Sequence, residues 1–224
     1  MSIGQSFKNK PQALFPAGII IEVIGNVASG KTTATKKTAQ LTTFEYIDID
    51  VYTKNPFLPL FVEDPKRWTF TSDLYFSLIR SQQIPLMLKR MTFAPLILDS
   101  SLDMGMYVYS KSCFLQGKMT QDEWIFLQKS HKTLMQKEPP VYATIFIDVP
   151  IDALMNRIIR RGRAHEQDYT RKYVLQLQER LDEYKQDMIA LKTRKVVATY
   201  HQLEKKLQFH GKEDKKLEKL FSLL

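Results

Sequence analysis

Eight consecutive residues, Gly25-Asn26-Val27-Ala28-Ser29-Gly30-Lys31-Thr32, carry the clearest chemistry in the chain. They complete the pattern G-x-x-x-x-G-K-[ST], in which two glycines let successive backbone N–H groups converge on an anion. A lysine followed by a hydroxyl suits a polyphosphate and its cation. Lys31 would reach the β- and γ-phosphates, and the Thr32 hydroxyl would ligate Mg2+. Asn26, Val27, Ala28 and Ser29 provide the backbone between the glycines, and Thr33 continues into a helix whose N-terminal partial charge favours the same anion. The pattern implies binding of ATP or GTP and is silent on what accepts the phosphate. A second basic group, Arg157, Arg161 and Arg163, has the composition of a phosphate-handling cluster.

These residues need a scaffold, and the flanking sequence supplies one. Ile19 to Ile24 is a β-branched run suited to a buried strand, and Thr33 to Leu41 is helical in pattern. Phe44 to Ile49 reads as a second strand, closing at Asp48 and Asp50. Asp64-Pro65 opens a helical pattern that runs from Trp68 to about Arg90, with Pro85 kinking or dividing it. Leu96 to Leu98 makes a third strand ending at Asp99, and Met104 to Leu115 is helical up to Gly117. Thr120 to Glu123 is a capping box for a helix running towards Lys137. Val141 to Val149 is the fourth strand. A helix then leads to the arginine cluster, and another spans Tyr169 to about Thr193. Val196 to Tyr200 forms a fifth strand, and Lys212 to Leu224 a closing amphipathic helix. Strands alternating with helices predict an α/β fold with a parallel five-stranded sheet covered on both faces.

The 224 residues suffice for one substantial core, so the reading is a tail over residues 1–18 and a single domain over 19–224. No apolar run approaches the length of a membrane span, which excludes a membrane role by this signal. The N-terminus lacks an apolar signal core, and the lone Cys113 fits a reducing, cytoplasmic compartment. Of the net charge of +9, five units lie in Leu191 to Leu224, where nine Lys/Arg face four Asp/Glu. No nucleic-acid module accompanies them, so they read as a solvated basic face. His131, His165, His201 and His210 have no metal-ligand spacing and read as surface residues.

Several segments occur together in one order: the glycine loop, the acidic strand end, NPF…EDPKRWTF, LDSS, and RIIRRGRAHEQDY before a helix containing Tyr173 and Tyr184. From Ile19 to Asp187 the chain resembles the deoxynucleoside kinase family, which includes deoxycytidine, deoxyguanosine and bacterial deoxyadenosine kinases. The resemblance implies a three-layer P-loop fold with an arginine-rich lid at about 157–168, Mg2+-dependent use of ATP, a nucleoside acceptor, nucleoside salvage and a homodimer. Asp50, five residues before Asn55-Pro56, falls where the family has its general base. Asp48 remains a rival for that role. Asp99 matches a carboxylate near Mg2+, and Arg157, Arg161 and Arg163 match the lid pattern R-x-x-x-R-x-R. Glu166 matches a residue that binds the sugar 3′-hydroxyl, and Arg80 and Tyr173 fall at positions near the nucleoside.

The departures concentrate on the acceptor side. The family's Arg after the third-strand carboxylate is Ser100, its base-reading Gln is Asp73, a sugar-binding Tyr is Val62, and a later Asp-Arg pair is Gly105-Met106. The base is shortened from Glu to Asp50, which withdraws its carboxylate by about 1.5 Å. Asp73 accepts hydrogen bonds, which favours a base with an exocyclic amine over thymine. Three readings follow: a deoxynucleoside kinase with altered base preference, a nucleotide-binding relative without catalysis, and a nucleoside monophosphate kinase.

Overall fold

The computed structural model describes residues 13–49, 54–163, 166 and 169–224. Their elements are β1 (Ile20–Gly25), α1 (Lys31–Leu41), β2 (Glu45–Asp48), α2 (Leu58–Glu63), α3 (Pro65–Ser81), α4 (Ile84–Arg90) and β3 (Leu96–Asp99). A π-helical segment, Gly105–Ser110, runs into α5 (Lys111–Leu115). Then come α6 (Gln121–Leu134), β4 (Ala143–Asp148), α7 (Ile151–Arg161), α8 (Arg171–Leu191), β5 (Val196–His201), β6 (Lys206–Phe209) and α9 (Lys215–Phe221).

The strands form one sheet in the order β2-β3-β1-β4-β5-β6. The first five are parallel, as the sequence predicts; β6 is an antiparallel addition paired with β5 through Ala198 and Phe209. The sheet is therefore mixed and six-stranded among the described residues, not purely parallel and five-stranded. The miss has a physical reason. Lys206–Phe209 is four residues in a lysine-rich run, and Lys205 itself, at φ 52°, takes the left-handed turn position where glycine would be the usual signal.

β1 is buried along its whole length, as a central parallel strand covered on both faces must be. Ile21, Val23 and Ile97 pack with Leu154 and Ile158 of α7, Leu177 and Leu181 of α8, and Leu217 and Leu220 of α9. Ile20, Leu96 and Leu98 pack with Ile84 and Met87 of α4 on a separate cluster. Phe15, within the expected tail, belongs to the first cluster and meets Phe44 and Tyr142 edge-on.

Local signals set the helix starts. Asp64 accepts from the Arg67 N–H with Pro65 in the first turn of α3, and both arms of the Thr120–Glu123 capping box are made. The helical run expected over Trp68–Arg90 divides at Gln82–Gln83, and Pro85 falls in the first turn of α4, where its missing N–H costs no helix bond. α2 follows Asn55-Pro56, and Pro59 occupies its first turn, where its missing N–H costs no helix bond. His131 corrects another expectation. Only 4% exposed, it joins Ser77 Oγ (3.1 Å, through Nδ1) of α3 to Asp103 Oδ1 (2.8 Å, through Nε2) and so ties α6 to α3. His201 and His210 are half-buried, and His165 lies outside the described residues.

Candidate active site

The glycine loop leaves the carboxyl end of β1, flanked in the sheet by β3 and β4, where the strand order reverses; ligands of open α/β sheets bind at such a point. Gly30 sits at φ 94°, the left-handed conformation that permits the turn into α1, and a Cβ there would also press on the Gln202 amide at 2.8 Å. Asn26 ties the loop to the far side of the fold: its Oδ1 accepts from the Val27 N–H at 2.8 Å, and its Nδ2 donates to the Val174 carbonyl of α8 at 3.0 Å. Lys31 Nζ donates to the Gly25 and Asn26 carbonyls, both at 3.0 Å, so the ammonium lies across the loop.

One polar cavity collects Val27 to Thr33 with Arg157, Arg161 and Arg163 of the expected lid, and Glu166. Arg157 Nη1 donates to the Ala28 and Ser29 carbonyls at 3.3 and 3.4 Å. Arg161 grips both oxygens of Glu166, and Arg163 Nη1 stands 3.7 Å from Glu166 Oε1. Glu166 is 4% exposed, so two guanidinium groups accompany its burial. Sequence reasoning missed four residues of this cavity: Arg160, Tyr109, Tyr169 and Gln202. The signal for Gln202 was its place one residue past the fifth strand; the two tyrosines had none.

Asp99 ends β3 and is 1% exposed. Its Oδ2 accepts from the Tyr46 hydroxyl at 3.3 Å, while Oδ1 is buried without a hydrogen-bond partner. Burial raises its carboxyl above the usual range, opposed by the Thr32 hydroxyl and Lys31 ammonium and reinforced by Asp48, its partner in the β2–β3 register. An orphaned carboxylate oxygen beside a loop threonine fits a hard divalent cation, which needs only one or two protein oxygens when phosphates supply the rest. No cluster of three or more His, Cys, Asp or Glu able to hold a metal occurs among the described residues. Ser100 adds no cation here: at φ 80° it turns its hydroxyl onto the Met104 sulfur at 3.2 Å.

A second cavity adjoins the first through Tyr109 and Tyr169, which line both. It brings together three expected residues, Asp73, Arg80 and Tyr173, with Gly105, Ser110 and Cys113. Burial pushes the Asp73 carboxyl up to about 7, against the pull of the Ser110 hydroxyl, Arg80 and Lys118. Its Oδ2 and the Nε of Arg80 are both buried without hydrogen-bond partners. Arg80 lies against Gly105 so closely that a Cβ there would overlap Nη1 and stand 2.7 Å from Cζ. The absence of a side chain at Gly105 thus makes the room the guanidinium occupies. Val62 is not in this cavity; it lines a neighbouring one with Lys118 and Lys172. Asp50, the expected base, lies outside the described residues.

No described helix is long and apolar enough to cross a membrane. A profile of the deoxynucleoside kinase family matches residues 20–221. The chain is 25% identical over 160 residues to the deoxyadenosine/deoxycytidine kinase of Bacillus subtilis (strain 168), spanning 70% of this chain and 72% of that protein. It is 26% identical over 161 residues to the deoxyguanosine kinase of the same organism, spanning 70% and 73%. Its fold is similar to that of deoxyadenosine kinase from M. mycoides with bound dATP, with TM-score 0.66 and 21% identity over 77% of this chain and 86% of that one.

Proposed function

The chain belongs to the deoxynucleoside kinase family, and on that premise we propose that it transfers the γ-phosphate of ATP to the 5′-hydroxyl of a deoxynucleoside. The observation that carries this reading is the pair of joined cavities. One is lined by the glycine loop and guanidinium groups; the other is lined by aromatic rings with an acceptor, Asp73, and a donor, Arg80. The first suits a triphosphate, the second a nucleoside, and Tyr109 and Tyr169 stand between them.

In the reaction the 5′-oxygen bonds to the γ-phosphorus, the bond from that phosphorus to the β–γ bridging oxygen breaks, and the hydroxyl proton passes to a carboxylate. Asp50 is that base on sequence grounds. Lys31 and the lid residues Arg157, Arg161 and Arg163 disperse charge on the moving phosphoryl, which is where such enzymes gain most of their rate. Thr32 and Asp99 would hold Mg2+, which when bound neutralises charge on the phosphates. Glu166, steadied by Arg161 and Arg163, would meet the sugar 3′-hydroxyl, and Tyr173 would pack near the nucleoside. Residues 19–224 act as one kinase unit with the lid at about 157–168. An apolar surface between α3 and α6, with Leu78 and Phe126 exposed, supports a homodimer through that face.

The test is transfer of labelled γ-phosphate from ATP to the four deoxynucleosides, the ribonucleosides and their monophosphates, with Lys31→Ala as the blank. Product from one or more deoxynucleosides is expected. Ser100, which brings no guanidinium of its own beside Asp99, favours the second reading of a relative without catalysis. ATP binding with no transfer to any acceptor would select it, and transfer to monophosphates alone would select a monophosphate kinase.

A further inference from the structure

The carboxyl ends of β2 and β3 carry an arrangement that the reaction as described leaves without a purpose. Asp48 and Asp99 are direct register partners on adjacent parallel strands, which sets two carboxylates side by side near the first turn of α1. Adjacent like charges repel, and the repulsion grows where water is scarce. Tyr46, two residues before Asp48 and therefore on the same face of β2, answers both. Its hydroxyl donates to Asp99 Oδ2 at 3.3 Å, as a neutral phenol does. The Lys36 ammonium stands 5.5 Å from the centre of its ring, on the helix that Lys31 and Thr32 begin.

This contact divides the two oxygens of Asp99. Oδ2 is occupied by the phenol, and Oδ1, in a residue 1% exposed, has no hydrogen-bond partner. A buried carboxylate oxygen costs free energy unless something meets it, and the group that suits it beside Thr32 is a divalent cation brought with the nucleotide. We propose that Tyr46 is the positioning residue of the cation site: its hydroxyl fixes Asp99 so that Oδ1 is left to the metal, and it lets Asp48 stand beside that site as a second carboxylate. The assignment rests on the cation reading of Thr32 and Asp99 above. It also gives Asp48 a task other than accepting the sugar proton, which leaves that task to Asp50.

Outer partners of metal ligands are worth about 10–100-fold in metal affinity. The experiment is Mn2+ titration of the full-length protein saturated with ADP, read by electron paramagnetic resonance. Wild type is compared with Tyr46→Phe, Asp48→Asn and Asp99→Asn, and the thermal midpoint of each metal-free protein is recorded. Tyr46→Phe keeps the ring over which Lys36 sits and removes only the hydroxyl. The expected result is Mn2+ binding weakened about tenfold in Tyr46→Phe with an unchanged midpoint, a smaller loss in Asp48→Asn, and the largest in Asp99→Asn. Wild-type affinity in Tyr46→Phe while Asp99→Asn is impaired would overturn the role of Tyr46 and leave the cation site standing. Unchanged affinity in Asp99→Asn would remove the cation site itself. A lowered midpoint in Tyr46→Phe without loss of Mn2+ affinity would make Tyr46 a packing residue and overturn the proposal.

Discussion

The two ends of the cleft are built by different means. At the end proposed for phosphate, the side chains of an eight-residue loop are tied to main-chain groups: Lys31 to two loop carbonyls and Asn26 to the loop and α8. At the nucleoside end, α3, the π-helical segment and α8 each contribute side chains, and two of these, Asp73 and Arg80, keep buried polar atoms without partners. A backbone-built site admits little change, because altering a side chain does not alter the main chain that does the binding. A site built from side chains on separate elements can change its selectivity without unfolding. The departures at Asp73 and Gly105 fall on the second kind of surface.

The sharpest way to break this comparison is Lys31→Ala. It should lower kcat by about 10²–10³-fold, the scale of losing one preorganised charge donor, while the circular dichroism spectrum stays that of the folded protein. Retained activity would mean that the loop is not the phosphate site. Gly105→Ala tests the other end. The added methyl has no room beside the Arg80 guanidinium, so the KM for the nucleoside should rise about tenfold, or about 1.4 kcal/mol, with the KM for ATP unchanged. If both KM values rise together, the two ends are not separable.

Asp73 gives a smaller, pH-dependent effect. With its carboxyl near 7, it accepts hydrogen bonds fully only above that pH. For acceptors with an exocyclic amine, kcat/KM should rise severalfold as pH passes upward through about 7, and Asp73→Asn should flatten the profile. Thymidine used as well as these acceptors at pH 8 would refute the assignment. The smallest effect lies away from both ends. Burial, Asp103 and Glu22 raise the Glu138 carboxyl to about 8, partly opposed by Arg194. A carboxyl raised on folding favours the folded state below its unfolded value of 4.5, and that contribution is lost as pH climbs to 8. Urea midpoints of the wild type should therefore fall between pH 5 and pH 9 by more than those of Glu138→Gln, with both KM values unaffected.

The phosphate end was legible because its residues are contiguous and bounded by a strand and a helix, so local chemistry and order in the chain specify it almost completely. The same holds for the Thr120 cap and the five parallel strands, whose patterns repeat within short windows. Asp73 and Arg80 were placed in one cavity through the resemblance alone; their spacing of seven shows only that they share a helix face. Where they face was decided by packing, as was the use of Gly105 as space for a guanidinium. Tyr109 and Tyr169 enter the site from elements far apart in the chain, and no local pattern announces them. His131 looks like any helical surface residue until α6 meets α3. The sequence by itself determined the nucleotide loop and the parallel strands, because those depend on neighbours along the chain. Only the tertiary structure decided which oxygen of Asp99 is left open, that Lys206–Phe209 closes the sheet edge, and that Arg80 rests on Gly105, because each depends on groups that meet only once the helices close over the sheet.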